Sequence, residues 1–296
     1  MKNLFLITLL ISFSFPLFAE PETPSAEPTT AETAQVDEEL QSDSRSRDEQ
    51  DDWKLPPTLT DSHGIEFILV KPGVYLMGSG AESPKEEEKI EYPFYLQKTE
   101  MTQALWEKIM GGPTWKNTEE YKNSDPYDES PQHPVYYVSF VDVQGFLTRI
   151  NSSEKQALYR LPTSEEWEYA ARAGSTTEFS YGDLPDGLKE FGWSAENSEQ
   201  PMAVGSHRPN EWGFYDMHGN VWEWVMGQGE DLSKKIPKND DDEGRIKRGG
   251  SWLKEAIQCK SHSSGSNSID TRDEDLGFRL VKDISQVLEE RLLESE

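Results

Sequence analysis

The feature that most constrains the fold is the stretch 213–224, which reads Gly-Phe-Tyr-Asp-Met-His-Gly-Asn-Val-Trp-Glu-Trp. Glycines, carboxylates and tryptophans alternate in it too closely for a regular helix or strand, and glycine permits turns that other residues resist. Asp216 and Glu223 could direct side-chain oxygens at a hard cation such as calcium. Main-chain oxygens near Gly219 and Val221 could complete such a site. The two carboxylates could equally cap turns or pair with arginine, so the stretch predicts a compact loop with an aromatic wall and leaves its role open.

The composition favours one globular domain of roughly 220 to 240 residues, because the first fifth of the 296-residue chain differs from the rest. Nine Trp, eleven Tyr and twelve Phe supply enough large apolar side chains for a substantial core. The formal net charge of −27 argues against nucleic acid as a partner, since no basic surface is available to replace counterions on phosphate. We interpret the acidity as a solubilising surface.

Residues 1–19 are typical of a secretory signal peptide. One lysine precedes an apolar run that extends to Phe18, and Ala19 follows as a small residue at a plausible cleavage point. The run has about 15 residues and is interrupted by Pro16, against the roughly 20 that a spanning helix needs. We therefore expect an exported protein, periplasmic or secreted, with no stable membrane anchor after cleavage.

The remaining segments follow from composition and spacing. Residues 20–54 are rich in Glu, Asp, Ser, Thr and Pro and are predicted to form an acidic, disordered linker. The ordered domain is predicted for 55–283, and a short amphipathic helix for 284–296. The single cysteine, Cys259, cannot form an internal disulfide, so the fold must depend on its core and, if the cation site forms, on metal.

Within the domain the patterns predict an α+β fold of short strands and a few amphipathic helices. Strands are predicted at 65–70 and 74–78, whereas the charged run 82–89 is predicted to be an exposed loop. Thr102, Ser139 and Thr163 are expected to cap three helices, the last through a capping box with Glu166. Beyond residue 174 the chain is rich in Gly, Pro, Asn and Ser, which predicts loops and short strands.

A family resemblance covers 65–283. It begins with Lys-Thr-Glu-Met-Thr-Gln at 98–103 and Arg-Leu-Pro-Thr-Ser-Glu-Glu-Trp-Glu-Tyr-Ala at 160–170. It continues in order through Val-Gly-Ser, the stretch 213–224, Arg-Gly-Gly-Ser-Trp and Leu-Gly-Phe-Arg, the last ending at Arg279. Together these blocks resemble the formylglycine-generating enzyme family, also called the sulfatase-modifying factor family. The resemblance implies a loop-rich variant of the C-type-lectin fold.

The resemblance also locates the family's chemistry. Its oxidases carry a cysteine pair soon after the Gly-Gly-Ser block, which binds copper(I) and uses oxygen to convert a sulfatase cysteine to formylglycine. The matching positions here are Lys254 and Cys259. A two-thiolate copper(I) site cannot form within one molecule that has a single cysteine. Cys259 is then either a small buried side chain or a reactive thiol, whose pKa Lys254 would lower if the two were close.

Two further groups of residues are implied by the family. Calcium is held in its members by oxygens at the positions that match Asp216, Gly219, Val221 and Glu223. Ser251 matches a residue near the oxidase cleft, and our candidates for the cleft of this chain are Trp222, Ser251, Trp252 and Lys254. Arg279, between two apolar residues, is expected to need a buried carboxylate partner.

Two functions therefore remain open at this point. The first is an exported, non-oxidase binding or accessory module with a structural calcium site, whose ligand is an unidentified protein, peptide or glycan. The loops 111–134 and 227–244 are where we expect that ligand to bind. The second is a formylglycine-generating oxidase with an atypical site, in which Cys259 acts without a partner cysteine and Cu⁺ would be the cofactor.

Overall fold

The computed structural model describes residues 55–78, 86–124, 127, 130–152, 158–227, 244–285 and 288. The predicted signal peptide (1–19), acidic linker (20–54) and nearly all of loop 227–244 lie outside these ranges. Of the helix predicted for 284–296, only Ile284, Ser285 and Leu288 are described. Ile284 and Leu288 are buried, and the amide of Leu288 donates to the carbonyl of Ile284.

The strands form two sheets and a hairpin. A five-stranded antiparallel sheet has the order β1-β2-β5-β11-β6, and a four-stranded sheet has the order β10-β7-β8-β9 with β10 parallel to β7. Strands β3 and β4 pair antiparallel as a separate hairpin. The strands are β1 (Thr58–Thr60), β2 (Glu66–Val70), β3 (Gly73–Met77), β4 (Glu86–Ile90), β5 (Phe94–Gln97), β6 (Leu158–Arg160), β7 (Trp222–Trp224), β8 (Arg245–Arg248), β9 (Ser264–Asn267), β10 (Leu276–Gly277) and β11 (Val281–Asp283).

The prediction of a loop over 82–89 is wrong for residues 86–89, which belong to β4. Glu86 pairs with Met77 and Lys89 with Val74, so the backbone groups of this charged segment are satisfied by β3. The side chains of Glu86 and Lys89 remain exposed while Ile90 is buried. A strand at the edge of a hairpin tolerates such charges because only one of its neighbours is protein.

Three of the four α-helices in the described ranges begin where their caps were predicted, and the helix Glu119–Lys122 was not predicted. The four helices are α1 (Gln103–Met110), α2 (Glu119–Lys122), α3 (Phe140–Asn151) and α4 (Ser164–Arg172). Thr102, Ser139 and Thr163 each accept a hydrogen bond from the third residue that follows, and Glu166 completes the capping box of α4. Across the described ranges, no helix combines the length and apolar character needed to cross a bilayer.

A fully buried ion pair joins strand β7 to the segment between β10 and β11, and a hydrogen bond from Trp167 connects the pair to helix α4. Arg279 donates from Nε to Glu223 Oε2 and from Nη2 to Glu223 Oε1, both at 2.7 Å, and neither side chain is exposed to solvent. The indole of Trp167 donates a third bond, of 2.8 Å, to Glu223 Oε2. The buried carboxylate predicted as the partner of Arg279 is therefore Glu223, which stands on β7.

We expect Arg279→Met to lower the free energy of unfolding by about 3–5 kcal/mol, because it leaves the Glu223 carboxylate buried without its partner. Chemical denaturation measures the loss. The double variant Arg279→Met/Glu223→Gln should recover part of it, since it removes the unpaired charge. Arg208→Met is the matched control, because Arg208 pairs with Glu190 on the exposed surface and its loss should leave stability unchanged. Equal losses in Arg279→Met and Arg208→Met would contradict a special role for the buried pair.

Candidate functional site

The loop 213–224 turns through backbone conformations that few residues adopt. Asp216, Asn220 and Gly219 have positive φ angles of 58°, 59° and 99°. A Cβ atom at Gly219 would lie 1.9 Å from the carbonyl oxygen of Trp193, so only glycine fits there. A residue outside the loop also fixes its conformation, because the amide of Gly219 donates to the carbonyl of Gly249.

Three buried carboxylates behind this loop influence one another electrostatically. Glu100 and Glu223 are 0% exposed and Asp216 is 2% exposed. Glu100 accepts hydrogen bonds from the amide of Val221 at 3.0 Å and from the side-chain amide of Asn220 at 2.6 Å. Asp216 Oδ2 accepts a bond of 2.7 Å from Gly205, whereas Asp216 Oδ1 is buried without a partner among the described residues.

The charge of this cluster is unbalanced. Glu100, Asp216 and Glu223 interact electrostatically with one buried cation, Arg279. Burial and the neighbouring carboxylates raise the pKa of Glu100 well above its usual value. Burial raises the pKa of Asp216 to about 6. With all three carboxylates ionised, the cluster would carry two uncompensated negative charges, which is costly in a buried position.

The residues predicted for calcium fit a divalent cation in charge and in donor type. Asp216 Oδ1 is available as an acceptor, and Gly219 and Val221 follow three and five residues later in the same loop and carry main-chain oxygens. Glu223 is shared, because Arg279 and Trp167 already donate to its carboxylate. No three His, Cys, Asp or Glu side chains in the described ranges converge as metal ligands, so an ion here would depend on main-chain oxygens. Calcium binding stays a prediction.

Three of the predicted cleft residues donate hydrogen bonds to two residues, Asp275 and Asn220. Ser251 donates to Asp275 Oδ2 at 2.6 Å, and the amide of Trp222 donates to the carbonyl of Asp275 at 2.7 Å. The amide of Trp252 donates to the carbonyl of Asn220, directly beside the loop. The indole Nε1 atoms of Trp222 and Trp252 are buried with no protein partner among the described residues.

The charges of two lysines, Lys247 and Lys254, act on the carboxylate of Asp275. Lys247 Nζ lies 5.1 Å from the centroid of the Trp222 ring, because β8 runs beside β7. Burial lowers the pKa of Lys247, and Asp275 opposes that change. Burial raises the pKa of Asp275, while the bond from Ser251 and the charges of Lys247 and Lys254 lower it. Lys254, the fourth predicted residue, is thus within electrostatic reach of the same group.

Sequence reasoning missed the acidic and aromatic wall of this cleft. Tyr127 packs edge-on against Trp252 with ring centroids 5.1 Å apart. The hydroxyls of Tyr127 and Tyr137 both donate to Glu274, at 2.8 and 3.3 Å. The acidic pair Glu274 and Asp275 directly precedes the Leu-Gly-Phe-Arg block, and that position was the available signal. Tyr127 belongs to loop 111–134, one of the two loops predicted to carry the ligand site.

Cys259 lies beneath the Gly-Gly-Ser turn and is 0% exposed. Its Sγ lies 3.8 Å from the carbonyl oxygens of Ser251 and Glu255, and a Cβ at Gly250 would come within 2.5 Å of it. Burial raises the pKa of the Cys259 thiol to about 12, and the opposing effect of Lys254 is smaller. One protonated thiol without a second sulfur does not fit copper(I).

Comparison with known proteins agrees with the family resemblance that the sequence blocks between residues 98 and 279 indicate. The family model of the sulfatase-modifying factor enzyme 1-like domain matches residues 54–284. Chaperone protein LppX of Paenibacillus barcinonensis is 26% identical over 257 residues, which cover 73% of this chain and 89% of the relative. The formylglycine-generating enzyme of Streptomyces coelicolor is 31% identical over 202 residues, covering 61% and 62%. The inactive C-alpha-formylglycine-generating enzyme 2 of Bos taurus is 30% identical over 174 residues, which cover 51% of this chain and 50% of the relative.

Two solved structures share the fold. Treponema denticola variable protein 1 superposes with a TM-score of 0.62 at 24% identity, covering 77% of this chain and 99% of that one. PvdO from Pseudomonas aeruginosa also gives a TM-score of 0.62, at 21% identity, covering 78% and 99%. The architecture is accordingly the α+β, loop-rich variant of the C-type-lectin fold. From its sequence blocks, its fold and the matched domain, the chain belongs to the sulfatase-modifying factor family.

Proposed function

We propose that this chain is an exported accessory or binding module of the family that does not oxidise a sulfatase cysteine. The observation that supports this most directly is the environment of Cys259: the chain has one cysteine, and its thiol is fully buried and protonated at neutral pH. The chemistry of the family's oxidases needs a thiolate pair that can bind copper(I). One relative is named an inactive enzyme and another is named a chaperone, and both names are consistent with a role other than oxidation.

We propose that the predicted cleft residues beside Cys259 serve recognition. Trp222, Trp252 and Tyr127 form the aromatic part of this group, while Lys247 and Asp275 bring opposite charges to the same place. Groups of this kind bind protein, peptide or glycan ligands through contact area and a few fixed polar groups. We propose export because residues 1–19 have the pattern of a secretory signal peptide. A structural calcium ion at Asp216 would brace the loop on which Trp222 stands.

The thiol of Cys259 is expected to resist alkylation in the native protein. At pH 8 the thiolate is scarce because burial raises the pKa to about 12, and the sulfur is closed off from solvent. Iodoacetamide should leave the folded chain unmodified and should modify the chain fully in denaturant, as read by intact mass. Rapid modification without denaturant would contradict the buried, protonated state of this thiol.

The oxidase alternative predicts a different outcome in a direct assay. The purified chain is incubated with copper, reductant, oxygen and a Cys-x-Pro-x-Arg peptide, the kind of sequence that the resemblance to the oxidases implies as substrate. We expect no formylglycine in the peptide by mass spectrometry, for the chain and for Cys259→Ser alike. Conversion that is present in the chain and lost in Cys259→Ser would overturn the non-oxidase proposal.

Calcium is expected to raise the melting temperature of protein that has first been stripped with chelator. A ligand at about 100 times its Kd stabilises a native state by about 2.7 kcal/mol, which corresponds to roughly 5–10 °C for a domain of this size. Asp216→Asn should reduce the shift, whereas Glu190→Gln, on the exposed surface, should retain it. An unchanged melting temperature in calcium and in chelator would show that the calcium assignment is wrong, without affecting the oxidase assay.

A further inference from the structure

A cavity of about 660 Å³ lies beside strands β1 and β2. Its lining comes from these two strands and from the segment 209–215, together with Lys71, Lys98 and Tyr169. None of the four cleft candidates discussed above lines it, so it is a separate place in the fold. Cavities of roughly 300–1,000 Å³ hold ligands of drug size. The volume therefore suits a molecule of a few linked rings.

The floor of the cavity is a polar part of the sheet. Thr58 and Thr60 pair directly opposite Ile68 and Glu66, so these side chains share one face of the sheet. A Cβ atom at Gly213 would lie 3.1 Å from Ile68 Cδ1, which shows that the segment carrying Gly213 packs on this face. Both threonines are exposed. The floor therefore offers two hydroxyl groups, which donate and accept hydrogen bonds, and one carboxylate, which accepts them.

One wall of the cavity is aromatic. Trp212, Tyr215 and Tyr169 line it. Trp212 packs edge-on against Tyr169 with ring centroids 4.8 Å apart. Trp212 and Tyr215 are only half-buried, so part of each side chain is accessible to an occupant. Partly exposed aromatic rings above hydroxyl groups suit a ligand that combines an apolar ring face with polar substituents, which is the chemistry of a sugar.

The charged groups of the cavity have a local positive balance. Among the described lining residues, the charged side chains are Lys71, Lys98 and Glu66. Lys98 Nζ lies 2.8 Å from Glu66 Oε2, and this hydrogen bond raises the pKa of the lysine, which therefore stays charged. An ammonium group has three donors, and Glu66 uses one of them. In a chain with a net charge of −27, this local excess of cations favours an occupant that carries a carboxylate.

The cavity continues past the pair formed by Lys98 and Glu66. A second cavity, of about 410 Å³, is also lined by Glu66, Lys98 and Tyr215, so the two cavities adjoin at these residues. Beyond them its lining includes the polar residues Thr99 and Gln132. A compact ligand would fill one of the two cavities, whereas both together accommodate a linear molecule.

We propose that the two adjoining cavities form a binding groove for an acidic oligosaccharide of the uronate class. The sugar rings pack on Trp212 and Tyr215, the sugar hydroxyls bond to the threonines of the floor, and a carboxylate lies against Lys98 and Lys71. An acidic peptide would also pair with the lysines, but its carboxylates stand on flexible side chains. A uronate joins its carboxylate directly to the ring that packs on the aromatic wall. This groove is separate from the cleft near Cys259 and does not depend on the function proposed there.

Calorimetric titration of the full chain with tetragalacturonate tests the proposal. We expect saturable binding. The fully methyl-esterified tetrasaccharide keeps the rings and loses the charge, so it should bind at least about tenfold more weakly. The indole N–H resonance of Trp212, assigned with Trp212→Phe, should shift as tetragalacturonate is added.

Variants of the lining place the probe in the groove. Lys98→Gln and Trp212→Ala should each weaken the binding of tetragalacturonate by about tenfold. Lys189→Gln is the matched control, because Lys189 is exposed and lines neither cavity, and its affinity should be unchanged. Circular dichroism checks that each variant is folded. If Trp212→Ala does not fold, Lys98→Gln decides the result.

Equal affinity for the charged and the esterified tetrasaccharide would overturn the proposal. Absence of binding, or unchanged affinity in Lys98→Gln with an unshifted Trp212 resonance, would do the same. Tetraglutamate is titrated in parallel, and tighter binding of this peptide than of tetragalacturonate would overturn the choice of a sugar. None of these outcomes bears on the formylglycine assay, which concerns Cys259.

Discussion

The arrangement of the whole domain depends on placing Arg279 against Glu223 without water. Taking either charge out of solvent alone costs several kcal/mol, so each group requires the other in fixed geometry. The two bonds between them connect β7 to the segment that links β10 and β11, and the bond from Trp167 adds α4. The tight turns of loop 213–224 are a consequence, because they deliver Glu223 to that position while Asp216 stays inside.

The same geometry separates the buried carboxylates behind the loop from the group of residues around Asp275. Behind the loop, Glu100 and Asp216 add negative charge that one guanidinium does not balance. On its other side, the amides of Trp222 and Trp252 donate to the carbonyls of Asp275 and Asn220, respectively. Lys254, which the resemblance matches to the first cysteine of the family's oxidases, acts electrostatically on Asp275. A two-thiolate copper(I) site cannot form within one molecule that has a single cysteine.

Features that depend on neighbouring residues were predictable from the sequence, whereas contacts between residues far apart in the sequence were not. Caps at Thr102, Ser139 and Thr163 depend on neighbouring residues and were confirmed, as was the need of Arg279 for a buried carboxylate. The family and fold followed from blocks that keep their order along the chain. Strand β4 was missed because its charged sequence is typical of an exposed loop, whereas its strand structure depends on backbone pairing with β3. Glu100 was missed as a member of the cluster, since it meets Val221 across 121 residues of sequence, and no periodicity reports such a contact.

The position of β11 sets the order in which the domain can be completed. This strand lies between β5 and β6, and just before it come Arg279 and β10, the parallel neighbour of β7. Until residues 276–283 have left the ribosome, β5 and β6 cannot be joined and Glu223 has no counter-charge. Such long-range pairings make folding slow and place it late. A chain built this way stays incompletely folded for most of its synthesis.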